Sequence, residues 1–147
     1  MIRNLITFEV GGETFGIDSI AILEIRAWST PTIVPGAPDY MVGVVNRRGI
    51  ALPVVDLAIR LGWKPLEITE RHAIIVISVN EQEIGLIVEA VSDMVSVDEE
   101  ALQPPPAFDH QALIPFIDSL AAVDDRLMMI LDPHALALGH SLAQAAA

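Results

Sequence analysis

Isoleucine and valine, 18 and 14 of the 147 residues, come in short runs cut apart by Gly, Pro, Asn and Asp. β-Branched side chains suit a pleated strand and crowd a helix, and those four residue types supply tight turns. An all-β architecture of many short strands is expected. In residues 5–10, Ile6, Phe8 and Val10 alternate with Thr7 and Glu9; Gly11 and Gly12 then provide the positive φ of a hairpin turn, and Glu13 to Ile17 returns alongside. Further strands are expected at 21–26, 41–46, 50–55, 72–79, 84–90, 93–97, 114–123 and 127–131. The stretch Trp28 to Asp39 holds three prolines and reads as a structured loop.

Asn46, Arg47, Arg48 and Gly49 form a turn between two of these strands, and further turns are expected at Asn80 to Gln82 and at Asp124 and Asp125. Asp56 is placed to cap a short helix, Leu57 to Leu61, that Gly62 ends. Asp132 and Pro133 are the cap and first-turn pair of a C-terminal helix running through Ala135, Leu136 and Leu138. Set side by side, "NRRGIALPVVDLAIRLG" and "DDRLMMILDPHALALG" share a plan: turn, apolar strand, capping Asp, Leu-rich segment, Gly. Such an internal repeat predicts two similar small β lobes. Their charge differs, because residues 1–80 carry 7 bases and 8 acids while 81–147 carry 1 base and 12 acids.

The net charge of −12 argues against a nucleic-acid binder, since phosphate contacts need clustered Lys and Arg. Without cysteine there is no disulfide, thiol catalysis or Cys-based metal site. His72, His110, His134 and His140 show no metal-ligand spacing, and phosphate-cradling glycine loops and nucleophile elbows are missing from the sequence. The carboxylate pairs Glu99–Glu100 and Asp124–Asp125 sit in turns, where solvation explains them. Neither a cofactor nor an active site is expected. Mean hydropathy is high at +0.51, yet no run reaches the roughly 18 apolar residues of a membrane span, and Glu9 and Glu13 interrupt any leader-like stretch. The chain therefore reads as cytoplasmic, with no direct membrane insertion. Its surplus apolar side chains either fill the core or meet other proteins. Arg47 and Arg48 stand out in a base-poor chain as a solvated turn or as an interface pair.

Residues 43–57, "GVVNRRGIALPVVDL", closely resemble the signature of the CheW family of bacterial chemotaxis adaptors, Gly-Val-x-Asn-Leu-Arg-Gly-x-x-x-Pro-Val-x-Asp-Leu. The resemblance continues through "FEVGGETFGIDSIAILEIR", "IGLIVEAVSDMVSV" and "DDRLMMILD", so it covers nearly the whole chain. Arg47 stands where the family usually has Leu, and "PFIDSLAAVDDR" lacks the glycine common before the final hairpin. The resemblance implies one domain over 1–147 built of two intertwined SH3-like five-stranded barrels, with short helices and no catalysis. It also implies a scaffold that joins the cytoplasmic tips of chemoreceptors to the regulatory domain of the histidine kinase CheA, recruited to the inner-membrane array through those partners. Carried over by motif, Arg48 is the receptor-contacting arginine and Gly43 the glycine needed for kinase association. Ile22 falls with the kinase contact and Glu24 with the receptor contact, while Ile20, Val88 and Val91 are expected to line an apolar receptor groove between the barrels.

Within the family, an adaptor of a pilus-motility or other non-flagellar array is an alternative, as is a regulatory domain of a larger fusion. The starting Met and Ala-rich end favour a stand-alone chain. From another class, a small β-barrel ligand binder or hydrolase would have to use Asp56, His72 and Asp132, whose spacing supports no such site.

Overall fold

In the computed structural model, residues 1–65, 67, 69–105 and 116–137 are described. Ten strands run in chain order: β1 Ile2–Val10, β2 Glu13–Asp18, β3 Ile22–Ala27, β4 Met41–Arg47, β5 Ile50–Asp56, β6 Ala73–Val79, β7 Gln82–Val88, β8 Ala90–Asp98, β9 Ile117–Val123 and β10 Arg126–Leu131. Four of the connections are two-residue hairpin turns with both central residues at positive φ, the geometry whose twist matches that of the flanking strands. They are filled by Gly11–Gly12, Arg48–Gly49, Asn80–Glu81 and Asp124–Asp125. The turn after β4 is thus narrower than expected: Arg47 still pairs with Ile50 as part of the ladder.

The strands make two five-stranded sheets, ordered β8-β1-β2-β10-β9 and β3-β6-β7-β5-β4. These orders are the same motif circularly permuted, with β3 to β7 taking the places of β8, β9, β10, β1 and β2. Each sheet has one parallel pairing, and the two correspond: Ile130 meets Gly16 as Val54 meets Gly85. Irregularities correspond too. An extra residue bulges from β4 at Val42 and from β9 at Asp118, and from β3 at Leu23 and from β8 at Ser92. Since the chain opens in one sheet, builds the other and then returns, the two lobes are intertwined, as the resemblance implied.

Each lobe encloses its own apolar cluster, and corresponding positions fill both. Leu5, Ala121, Met128 and Ile130 pack in the first lobe where Ile74, Val45, Leu52 and Val54 pack in the second. A larger cluster lies between the lobes, with Phe8, Phe15 and Ile17 from one against Val55, Leu61, Ile75, Ile77, Ile84 and Val88 from the other. Much of the surplus hydropathy is therefore core.

Two of the short helical pieces sit at the ends of β5 and β10. Asp56 caps the helix α1, Leu57–Arg60, by accepting from the amides of Ala58 and Ile59 at 2.9 and 3.3 Å. Asp132 accepts from the His134 amide at 3.0 Å, but the segment it caps, Pro133–Leu136, is a 3₁₀ turn rather than an α-helix. The backbone leaves helical geometry at Ala137, and Leu138, expected to continue the helix, lies outside the described residues. The strand expected from 114 begins at Ile117; residues 114 and 115 are likewise outside them.

Candidate functional site

The β4–β5 hairpin carries the motif, and its turn is held from three directions. Asn46 accepts the Gly49 amide on its Oδ1 at 2.7 Å, closing the turn locally. Asn46 also offers its carbonyl to Arg26 Nη1 of β3 at 3.2 Å. Arg47, whose side chain is only 11 % exposed, reaches Glu24 Oε1 of β3 at 3.2 Å and Glu83 Oε1 of β7 at 2.5 Å. Because β3 and β4 are opposite edges of one sheet, these contacts join the edges and close the barrel. Arg48 is different. It is exposed at φ 55°, a left-handed conformation that costs a non-glycine residue about 1 kcal/mol, and has no partner among the described residues. Beside it lie exposed Ile50 and a shallow depression lined by Thr32, Val44, Asn46 and Ala51.

Gly43 owes its identity to folding. Thr32 exchanges backbone hydrogen bonds with Val44, both at 2.8 Å, and a Cβ on Gly43 would stand 2.3 Å from the Thr32 carbonyl oxygen. The neighbour that comes this close to the glycine is the chain's own loop. In the other lobe the same bridge joins Gln103 to Leu120, and Ser119 takes the place of Gly43.

The remaining expected site residues divide. Ile22 and Val91 occupy corresponding places in β3 and β8, half-buried against the core between the lobes. Val88 is a correction: it is fully buried in that core and offers no surface for a groove. Ile20 is 93 % exposed on a 3₁₀ turn after β2. It borders a cleft of about 390 Å³ at the seam of the lobes, shared with Arg3, Asp18, Ser78, Asp118, Asp132 and His134. The cleft holds neither Val88 nor Val91, and charged side chains share its lining with Ile20, Ala21, Val79 and Pro133. Arg3 bridges Asp18 at 2.6 Å and Asp118 at 2.9 Å, and the hydrogen bond from Arg3 to Asp18, followed by that to Asp118, holds its proton above the ordinary arginine range.

Asp56, His72 and Asp132 do not form a catalytic set. Asp56 and Asp132 are spent as helix caps, and His72 is buried with its Nδ1 accepting from the Thr69 amide at 3.0 Å. Sequence reasoning missed the partners of Arg47, which are 23 and 36 residues away in the chain.

Residues 4–139 match the CheW-like domain family. The chain belongs to the CheW family. Among its relatives is the probable chemotaxis protein CheW of Rhizobium etli, 41 % identical over 134 residues covering 91 % of this chain and 86 % of that protein. The chemotaxis protein CheW of Rhizobium meliloti is 40 % identical over 130 residues, covering 88 % and 84 %. The crystal structure of the scaffolding protein TtCheW from Thermoanaerobacter tengcongensis superposes with a TM-score of 0.85 at 29 % identity, covering 92 % of this chain and 88 % of that one. In this CheW-family chain the motif falls on β4, the Arg48–Gly49 turn, β5 and the start of α1. Among the described residues no helix is long and apolar enough to cross a membrane.

Proposed function

We propose that this chain couples chemoreceptors to the histidine kinase CheA, binding the receptor tip and the kinase regulatory domain through separate surfaces in the cytoplasm. Its family makes it a chemotaxis scaffold and not an enzyme. The observation that carries the finer reading is Arg48: an exposed guanidinium, unpartnered among the described residues, on a hairpin fixed by hydrogen bonds and ion pairs. A guanidinium kept free on a rigid turn is pre-organised for a carboxylate or carbonyl on a partner, and apolar Ile50 beside it adds area that only a partner would bury. Arg48 and Glu24 belong to the receptor side, Gly43 and Ile22 to the kinase side, with Gly43 acting through the shape of its hairpin. Ile20 and Val91 flank the receptor surface.

A scaffold of this kind controls a kinase only through contacts that differ between the kinase's states. Fixed spacing between the lobes is then the functional quantity. The test is reconstitution of this chain with the CheA regulatory domain and a chemoreceptor cytoplasmic-tip fragment. A ternary complex by light scattering is expected; binding to neither fragment would contradict the reading.

A further inference from the structure

Arg47 departs from the residue usual at its place in the motif, and its surroundings say what the departure does. A leucine there would leave Glu24 and Glu83 without the guanidinium that now bridges them. Instead, β3, β4 and β7 are tied by one side chain that is nearly buried while the two carboxylates remain 39 % and 46 % exposed. Arg26 extends the set, lying 3.8 Å from Glu24 and donating to the Asn46 carbonyl at 3.2 Å. The chain of contacts Glu83–Arg47–Glu24–Arg26–Asn46 ends on the residue whose side chain holds the Gly49 amide. Every link converges on the turn that presents Arg48.

We infer that Arg47 is a positioning residue: clamped by Glu24 and Glu83, it fixes the β4–β5 turn and so the direction in which Arg48 meets its partner. This rests on the reading of Arg48 as a partner contact. Arg47 itself is too covered to be the main contact, and Glu24 is engaged by two arginines, so its part in binding runs through the clamp. Arg48 sits in a strained backbone conformation that neighbouring contacts must hold. Without the clamp, the turn would sample other conformations and the partner would have to select the competent one, which lowers apparent affinity by the competent fraction. Two partly exposed ion pairs are worth roughly five-fold in that population at low salt, and less as salt screens them.

The experiment compares Arg47→Gln, Arg47→Lys and Glu83→Gln with the parent chain, reading amide hydrogen exchange at Gly49 and Ile50, the melting temperature, and affinity for the receptor-tip fragment at two salt concentrations. Expected for Arg47→Gln are about five-fold faster exchange confined to the turn, about five-fold weaker binding, and a difference from the parent that shrinks at high salt. Arg47→Lys should recover part of both effects, because it keeps the charge without the bidentate fork, and Glu83→Gln should show a smaller version should Arg47→Gln not fold. Unchanged exchange at the turn would overturn the inference, and so would weaker binding without faster exchange, which would make Arg47 a direct contact. Faster exchange with normal binding also overturns it. In that case Arg48→Ala separates the causes: lost binding there leaves the reading of Arg48 standing, whereas normal binding shows that the reading failed and took the inference with it.

Discussion

The two lobes are one strand plan decorated twice, and they differ where function would be expected to reside. At corresponding hairpins the second lobe has Arg48 and Gly49 where the first has Asp124 and Asp125, so the same backbone presents opposite charges. Residues 19–89, which contain the second lobe, carry eight acids and six bases; the rest of the chain carries twelve acids and two bases. The interiors differ as well. Val76 and Ile87 of the second lobe's core correspond to Thr7 and Asp18 in the first. Thr7 bonds its Oγ1 to the Asp93 amide and carbonyl at 3.1 and 3.2 Å, pinning the β8 bulge, and Asp18 anchors Arg3. One lobe is thus held by apolar packing and the other leans on polar contacts, which teaches that this fold tolerates either interior while its turns are free to specialise.

The largest effect is expected at a steric mismatch between the lobes. Gly43→Ala forces a Cβ against the Thr32 carbonyl, so about 2–3 kcal/mol of destabilisation is expected from denaturant unfolding. Ser119→Ala at the matching place should be neutral or slightly stabilising, since its buried hydroxyl has no hydrogen-bond partner among the described residues. Equal costs at the two places would mean that no such steric mismatch separates the lobes.

Next comes the joint between the lobes. Arg60 of α1 stacks its guanidinium 4.7 Å from the ring centres of both Tyr40 and Phe116, which precede β4 and β9 and accept from the amides of Asp56 and Asp132 in matching fashion. It also donates to the Ala135 carbonyl at 3.4 Å, across the seam. Arg60→Leu should cost about 1–2 kcal/mol, and spin labels on the two lobes should show a broader distance distribution. An unchanged distribution would deny Arg60 any role in fixing lobe spacing.

The core difference predicts an order of opening. Amides of β6 and β7 should exchange more slowly than those of β8 and β9, by about ten-fold, because the polar-built lobe has less burial to lose. Smallest is the effect of relieving a turn. Glu81 sits at φ 66°, so Glu81→Gly should stabilise by about 0.5–1 kcal/mol, a rise of a few degrees in melting temperature.

Local patterns made most of this architecture legible in advance. Ile- and Val-rich runs between turn residues marked the strands, since β-branched side chains and a positive φ leave direct traces in residue type. The repeat was visible from Asn46 to Gly62 against Asp124 to Gly139, where the capping aspartates recur. It was hidden in the matching hairpins β1–β2 and β6–β7, because Phe and Ile fill equivalent core positions and Gly11–Gly12 corresponds to Asn80–Glu81. Bulges at Val42 and Asp118 left no mark, as a one-residue insertion looks like any other strand residue. Of the candidate site residues, the motif itself named Arg48 and Gly43. The burial of Val88 and the ion pairs of Arg47 depend on which strands become neighbours, and the permuted topology decides that.

If partner recognition was placed on one lobe's turn and left off its twin, the two turns must respond differently to the same truncation. A chemoreceptor-tip fragment titrated against Arg48→Ala and Asp124→Ala reads that difference, because both substitutions keep a non-glycine residue in the same left-handed conformation and the backbone contribution cancels. Near-native melting is expected for both, within about 0.5 kcal/mol, with affinity down about thirty-fold for Arg48→Ala and unchanged for Asp124→Ala. Equal affinities for the two variants would refute the assignment of recognition to the Arg48 turn.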